Sequence, residues 1–172
     1  MKSRINYVPV SARAFTLATL AVVLTACGGG KPAADGAAPA AATVQAAGPD
    51  GAALSARCAA CHQPTGLGLP GAYPPLAGSE IANGPAAIPI RIVLRGLIGP
   101  ITVHGQQYNN VMPAYGTMVE MSDAEVAAVL TYVRSQWGNT GGPVTAEQVA
   151  AERAATANHP GQWSAAELGL KP

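Results

Sequence analysis

The chain has 172 residues, which is room for one domain of ordinary size with appendages. Only 11% of the residues are charged and 5% are aromatic, so bulky side chains for a protein core are few. Residues 1–26 carry three basic and no acidic side chains, which leaves seven basic and nine acidic side chains beyond them. That remainder forms no basic stripe, which argues against a nucleic-acid partner.

Residues 1–26 have the pattern of an export signal, with a basic start and an apolar run from about Phe15 to Ala26. The run is shorter than the roughly 20 residues that a helix needs to span a bilayer. Leu24-Thr25-Ala26-Cys27 resembles the bacterial lipobox, in which the cysteine is lipidated and becomes the mature N-terminus. An ordinary signal peptide cut near Ala26 is the alternative. We expect a lipid anchor at Cys27 on the periplasmic side of a bacterial membrane, inner or outer.

Residues 28–49 are a low-complexity segment of Ala, Gly and Pro with Val44 as its one large apolar side chain. Such a segment cannot bury enough surface to become ordered, which predicts a disordered tether. The predicted organisation is therefore a signal peptide, a lipidated linker, a folded domain and an Ala-rich extension. Their boundaries are residues 1–26, 27–49, 50–139 and 140–172.

Cys58 and Cys61 are separated by two residues, and His62 follows at once. This CXXCH pattern is the attachment motif of c-type haem. Each sulfur can add to one haem vinyl group, and the histidine can serve as the proximal ligand of the iron. A zinc site and a thioredoxin-like redox pair are the competing interpretations. The sequence has no second Cys-His cluster and no alternation of strands and helices around Cys58, so it predicts one covalently attached haem c.

The segments near this motif are predicted as helices joined by loops. Asp50 is a suitable N-cap for a helix that reaches about Ala60 and presents both thiols from its last turn. Residues 63–78 are rich in Gly and Pro, which predicts a loop. A second helix is expected over residues 85–95, with its proline in the first turn and Gly96 at its end.

The second half of the domain is expected to contain a short hairpin and one clear helix. Residues 101–108 predict the hairpin, with its turn at His104-Gly105. Ser122 to Glu125 is a capping box. Apolar side chains then recur at helical spacing up to Trp137, with Gly138 as the expected stop.

Residues 140–172 form the Ala-rich extension. Thr145 to Gln148 is a second capping box, which predicts a helix to about Ala155. Ser164 to Glu167 has the same spacing and predicts one more turn. Because this segment has few large apolar residues, we expect it to pack loosely on the domain or to extend from it.

Taken together, these elements resemble class I cytochrome c and are similar to the haem domains of cytochrome subunits of membrane-bound dehydrogenases and cbb3-type oxidases. The resemblance covers about residues 50–138. It rests on the CXXCH, on Tyr73-Pro-Pro-Leu-Ala-Gly78, on Met112-Pro113 and on the segment from Ser122 to Asn139. It implies an all-α fold, a small helical domain wrapped around one covalent haem, with the tether before it and a short helical tail after it.

The resemblance also implies the second axial ligand of the iron. Met112 would supply it, and a thioether raises the reduction potential compared with a second imidazole. Met118 and Met121 lie close by as rivals, and His104 is the bis-histidine alternative.

The resemblance further implies that the carbonyl of Pro74 accepts a hydrogen bond from Nδ1 of His62, which orients the ring and raises its basicity. Four other side chains are candidates to lie near the haem or its propionates: Arg91, Arg95, Tyr108 and Trp137. For each of them, ordinary surface or core packing is the alternative.

An iron with both axial positions filled suits electron transfer, because no site remains for oxygen or substrate. We therefore expect a carrier of single electrons, without enzymatic activity, that meets redox partner proteins such as a dehydrogenase, another cytochrome or an oxidase. A haem subunit held within a dehydrogenase or oxidase complex is the alternative. A sensor or enzyme that opens its iron is a third class, for which the sequence offers no distal acid or base.

Overall fold

The computed structural model describes residues 48–115 and 120–172. The predicted export signal, Cys27, residues 28–47 of the tether and Met118 lie outside these ranges. The predicted all-α fold is confirmed, and it includes the one small hairpin that the sequence predicts. The elements are α1 (Gly51–His62), α2 (Glu80–Asn83), α3 (Ala87–Arg95), β1 (Ile101–Val103), β2 (Gln106–Tyr108), α4 (Asp123–Val133) and α5 (Ala146–Ala155). No helix in the described ranges is long and apolar enough to cross a membrane.

Helix α1 packs against α4, and Gly51 lies at their contact. The carboxylate of Asp50 caps α1 as predicted, because it accepts from the backbone N–H groups of Ala52 at 2.9 Å and Ala53 at 3.2 Å. A Cβ at position 51 would lie 2.8 Å from the carbonyl carbon of Ala128 in α4. Only glycine therefore allows this approach, which fixes where α1 presents its last turn.

Helix α3 forms as predicted, with Pro89 in its first turn and Gly96 at its end in the left-handed region, φ 77°. Helix α2 was not predicted. The Ser79 hydroxyl caps it by accepting from the N–H groups of Ile81 at 3.2 Å and Ala82 at 3.5 Å. Four residues are too few for apolar side chains to show a helical period.

Strands β1 and β2 pair antiparallel, with Ile101 opposite Tyr108. The turn lies at His104-Gly105, which confirms the predicted hairpin, and both residues have positive φ, 51° and 74°. The inward side chains of the hairpin join a buried cluster with the end of α3 and the C-terminal segment: Ile92, Leu97, Ile101, Val103, Tyr108, Ala165 and Leu168.

Helix α4 begins at the predicted capping box, in which Ser122 N donates to Glu125 Oε2 at 2.8 Å and Glu125 N donates to Ser122 Oγ at 3.3 Å. The prediction that it continues to Trp137 is wrong, since the helix ends at Val133. The Asn139 side-chain amide donates to the Val133 carbonyl at 2.8 Å and so satisfies the end of the helix. Trp137 adopts φ 52°, which no helix can continue.

Helix α5 begins at the predicted box between Thr145 and Gln148 and packs against α3 and α4. The expectation that the C-terminal extension packs loosely or projects from the domain is wrong. Val149 is fully buried, and Ala165 and Leu168 are 1% and 7% exposed. Small side chains allow close packing, so a segment with few large residues can still contribute to the core.

Among the described residues, ion pairs of Arg91 and Arg153 also connect α5 to the domain. Arg91 of α3 pairs with Glu152 at 2.7 Å, and Arg153 pairs with Asp123 at the start of α4, also at 2.7 Å. Because these groups are partly exposed, each pair stabilises the fold by no more than about 1 kcal/mol. The buried apolar contacts therefore hold α5 more strongly than its charges do.

Candidate cofactor site

A largely apolar cavity of about 930 Å³, including its solvent-open mouth, lies beside the last turn of α1. A smaller cavity of about 590 Å³ shares part of its wall. The residues that line both are Arg57, Cys58, His62, Pro74, Leu97, Ile101, Met112 and Tyr115. Cys61 lines the smaller cavity. The structure thus brings the five predicted site residues of the folded domain together around one cleft.

Helix α1 presents Cys58 and Cys61 three residues apart, and therefore on one face. Both thiols are half-buried, and they form no disulfide with each other. Burial raises the pKa of the Cys58 thiol, the nearby Cys61 raises it further, and Arg57 opposes the shift. A reactive redox cysteine needs the opposite, a lowered pKa, so the site does not support the thioredoxin-like interpretation.

His62 lies at the end of α1, and its Nδ1 is 2.9 Å from the carbonyl oxygen of Pro74. Because a carbonyl can only accept, Nδ1 carries the proton and Nε2 keeps a lone pair for a metal. Burial lowers the pKa of His62, although the hydrogen bond to Pro74 acts in the opposite direction. The neutral imidazole is therefore favoured, which is the form that coordinates iron.

The main chain of Gly68 lies directly against the Pro74 carbonyl. It has φ 67°, and a Cβ there would lie 2.6 Å from the Pro74 oxygen. Its N–H donates to the His62 carbonyl at 2.9 Å, which ties the loop to the end of α1. Sequence reasoning assigned this glycine only to a loop, and its place among other glycines and prolines gave no further signal.

Met112 is held through its main chain, which pairs with Leu97 in both directions: Met112 N donates at 2.9 Å and Leu97 N at 3.1 Å. Its rival Met121 also lines the larger cavity, but it is 5% exposed and belongs to the buried cluster around α4. Among the described methionines, Met112 alone lines both cavities. His104 lies at the hairpin turn, 3.7 Å from Glu80, and lines neither.

The other candidates for contact with a haem lie mostly elsewhere. Arg91 pairs with Glu152, and Arg95 donates to two carbonyls of the C-terminal segment at 2.8 and 3.1 Å. Tyr108 does line the smaller cavity. Trp137 packs edge-on against an α4 tyrosine and lines neither cavity.

Sequence reasoning missed Arg134, which follows α4 and lines the larger cavity while only 4% exposed. Its guanidinium donates to the main-chain oxygens of Ala82 at 2.8 Å, Gly84 and Gly142 at 3.0 Å, and Gly141. In the described residues no carboxylate pairs with it. Because its partners are main-chain carbonyls, no side-chain pattern in the sequence could indicate this role.

Asn139 ends the segment that resembles the family, and the structure gives it a role that the sequence did not predict. Its amide nitrogen donates to the carbonyls of Leu76 at 3.0 Å and Val133 at 2.8 Å. Its oxygen accepts from Gly78 N at 2.8 Å and from the Asn83 side chain at 2.9 Å. A single buried side chain therefore joins α2, the end of α4 and the loop that carries Pro74.

The described ranges contain no cluster of three or more His, Cys, Asp or Glu side chains that could hold a metal ion alone, so a zinc site finds no support. The wall instead combines two thiols, one neutral imidazole and a thioether with aliphatic side chains. That donor set fits haem, whose iron can take a nitrogen and a sulfur as axial ligands and whose ring is largely apolar. A CXXCH at the end of the first helix, beside such a cleft in an all-α domain, defines a c-type cytochrome.

The family model for cytochrome c matches residues 49–137. Cytochrome c-552 of Thermus thermophilus is 43% identical over 114 residues, which covers 61% of this chain and 85% of that protein. The cytochrome c subunit of the quinone alcohol dehydrogenase of Gluconobacter oxydans is 30% identical over 95 residues, covering 54% of this chain and 19% of that subunit. This chain belongs to the cytochrome c family, as a class I monohaem protein with one covalent haem c.

Proposed function

We propose that this chain carries single electrons on the periplasmic side of a bacterial membrane, with His62 and Met112 as the axial ligands and Cys58 and Cys61 as the attachment sites of its haem. The proposal rests on one observation above all. His62 and Met112 come from distant parts of the sequence, yet both line the two adjoining cavities beside the thiols. Haem iron supplies a couple that changes by one electron between its ferrous and ferric forms.

The residues of the cleft fit this role. Nε2 of His62 is free to coordinate because Nδ1 is engaged by Pro74. A thioether from Met112 favours the ferrous state, and the aliphatic wall disfavours the extra charge of the ferric state. Apart from His62, the wall contributed by the described residues contains no Asp, Glu or His that could act as acid or base. These features of the lining suit electron transfer.

A brief encounter with a redox partner is supported by an exposed apolar patch. Leu67, Leu69 and Val111 are 64%, 49% and 55% exposed. The Asn110 side chain donates to the Ala72 carbonyl at 3.0 Å, so the loop after α1 and the loop before Met112 lie together. Val111 also lines the smaller cavity, so one side chain of the patch reaches the cleft. A small apolar contact suits short-lived docking.

The membrane tether is the second part of the proposal. The supporting pattern is Leu24-Thr25-Ala26-Cys27 at the end of the apolar run, followed by the Ala-, Gly- and Pro-rich segment. Mass spectrometry of the mature protein should find an acylated Cys27 at the N-terminus and the mass of one haem. An unmodified Cys27, or cleavage at another site, would contradict the anchor without affecting the haem.

A stable subunit of a dehydrogenase complex is the second candidate function, favoured by the similarity to the alcohol dehydrogenase cytochrome subunit. The two functions differ in what is purified from solubilised membranes. A free carrier should be recovered without a stoichiometric partner, whereas a subunit should bring one with it. Recovery of such a partner at a one-to-one ratio would overturn the free-carrier proposal.

Carbon monoxide tests the closed iron directly, because it can bind ferrous haem only where an axial position is open. We expect the reduced native protein to bind carbon monoxide slowly and weakly, and a redox titration to fit a one-electron transition. Rapid binding by the native protein would contradict coordination by both His62 and Met112.

A further inference from the structure

The main chain around Met112 is held locally by few hydrogen bonds: the two to Leu97 and, three residues later, one from Tyr115 N to the Val93 carbonyl at 2.9 Å. The residues around it form no helix, and its two hydrogen bonds to Leu97 make an isolated pair rather than part of a longer sheet. A ligand held in this way would move easily, because few bonds must break for it to do so. The structure adds a restraint from a distant part of the chain.

That restraint is Gln162, whose side-chain amide donates to the Met112 carbonyl at 2.8 Å. The next residue, Trp163, pairs with the other side of the same segment, because its N–H donates to Gly96 at 3.1 Å and its carbonyl accepts from Ile98 at 2.8 Å. Leu97 therefore lies between Met112 on one side and Trp163 on the other.

The three segments meet closely at Gly96. A Cβ there would lie 2.5 Å from the Met112 oxygen and 2.8 Å from Nε2 of Gln162. The residue also has φ 77°, which glycine adopts without strain. The contact between Gln162 and Met112 thus fills a space that a larger residue at position 96 would close.

The C-terminal segment is itself fixed by contacts that do not involve Met112's main chain. Arg95 donates to the carbonyls of Ala157 at 2.8 Å and His159 at 3.1 Å. The His159 ring stacks on Trp163 with centroids 3.6 Å apart, and Leu168 is buried beyond it. Gln162 is therefore anchored on both sides, so it can restrain Met112 rather than follow it.

We propose that Gln162 is a positioning residue for the axial ligand: its hydrogen bond to the Met112 carbonyl holds the thioether in coordinating position, so the C-terminal segment controls how readily the sixth site opens. The inference rests on the proposed role of Met112. It gives the extension a function in the redox site and not only in the stability of the fold.

Imidazole binding to the ferric holoprotein measures this directly, because imidazole must displace the methionine. Its apparent affinity scales with the fraction of molecules in which the ligand has left the iron. Loss of one neutral hydrogen bond changes such an equilibrium by roughly 2- to 10-fold. Gln162→Ala and Gln162→Glu should therefore bind imidazole about 2- to 10-fold more tightly than the native protein. The glutamate keeps the side-chain length but offers no N–H donor when ionised.

Gln148→Ala is the matched control, since Gln148 also makes a side-chain hydrogen bond in the C-terminal extension, to Thr145 N at 2.9 Å, without contacting Met112. All three variants should unfold at lower denaturant concentration, but only the two at position 162 should gain imidazole affinity. If both position-162 variants bound imidazole with the native affinity, or if the control gained as much affinity as they did, the role of Gln162 would be overturned. The assignment of Met112 as the axial ligand would not be affected. Absence of a methionine-to-iron charge-transfer band from the native ferric protein would overturn the Met112 assignment as well.

Discussion

His62 is held by a main-chain carbonyl, which substitution of Pro74 cannot remove. A substitution at Gly68 should disturb this hydrogen bond instead, because the absence of a Cβ at Gly68 leaves room for the Pro74 carbonyl. The sequence and the family resemblance predicted His62 and Pro74, because each belongs to a recognisable motif. Gly68 could not be predicted, since its role depends on how the loop folds back under Pro74.

Gly68→Ala should raise the reduction potential and destabilise the fold. Displacing the Pro74 carbonyl makes the imidazole a weaker donor, which favours the ferrous state. Gly71→Ala is a matched control, because Gly71 has φ 75° but no atom within 4 Å of a Cβ. The control should lose about 1–2 kcal/mol of stability at an unchanged potential. Potentiometric titration would contradict the role of Gly68 if both variants kept the native potential.

At the scale of elements, local signals predicted the starts of helices better than their ends. Asp50, Ser122 and Thr145 cap their helices as predicted, because capping depends on residues only two or three positions apart. The end of α4 depends instead on Asn139 and Arg134, whose partners lie in α2 and in the loop before it. Such long-range contacts leave no periodic pattern, so α4 was predicted too long.

Arg134→Met should destabilise the protein by about 2–4 kcal/mol, because four main-chain carbonyls lose their donor. It should also lower the reduction potential, since a buried positive charge at the cavity wall disfavours ferric iron. Arg134→Lys keeps the charge and up to three donors, so it should lose less stability and keep a potential near the native one. Equal reduction potentials for Arg134→Met and the native protein would show that the charge of Arg134 does not act on the iron.

Acid should weaken the two turns that Glu125 and Glu167 cap. Hydrogen bonds from the hydroxyls of Ser122 and Ser164 lower the pKa values of these glutamates. Because the folded-state pKa values lie below the unfolded ones, this stabilisation is complete above the unfolded-state pKa and is lost as pH falls through the folded-state pKa. Thermal unfolding of a Glu125→Gln/Glu167→Gln double variant should depend less on pH in that range. An identical pH dependence in both proteins would contradict this.

At the scale of the whole molecule, the described residues form one domain that the C-terminal extension completes. The composition of the extension suggested a loosely packed tail. Instead, Val144 and Val149 belong to the buried cluster around α4, and Ala165 and Leu168 belong to the cluster that includes the hairpin. Gln162 of the extension reaches the proposed axial ligand. The CXXCH and the family pattern predicted which residues surround the cleft. The sequence could not show that Gln162, far beyond the family pattern, contacts a residue of this cleft.

The most direct test of the central claim is the methionine-to-iron charge-transfer band of the ferric holoprotein in Met112→Ala and Met121→Leu variants. Met121 is the matched comparison, because it lines the same larger cavity and leucine nearly conserves its volume. The account predicts that the native protein and Met121→Leu show the band and that Met112→Ala lacks it. A charge-transfer band that persists in Met112→Ala, or that is lost in Met121→Leu, would contradict the assignment of Met112 as the axial ligand. It would also contradict an iron site closed by His62 and Met112.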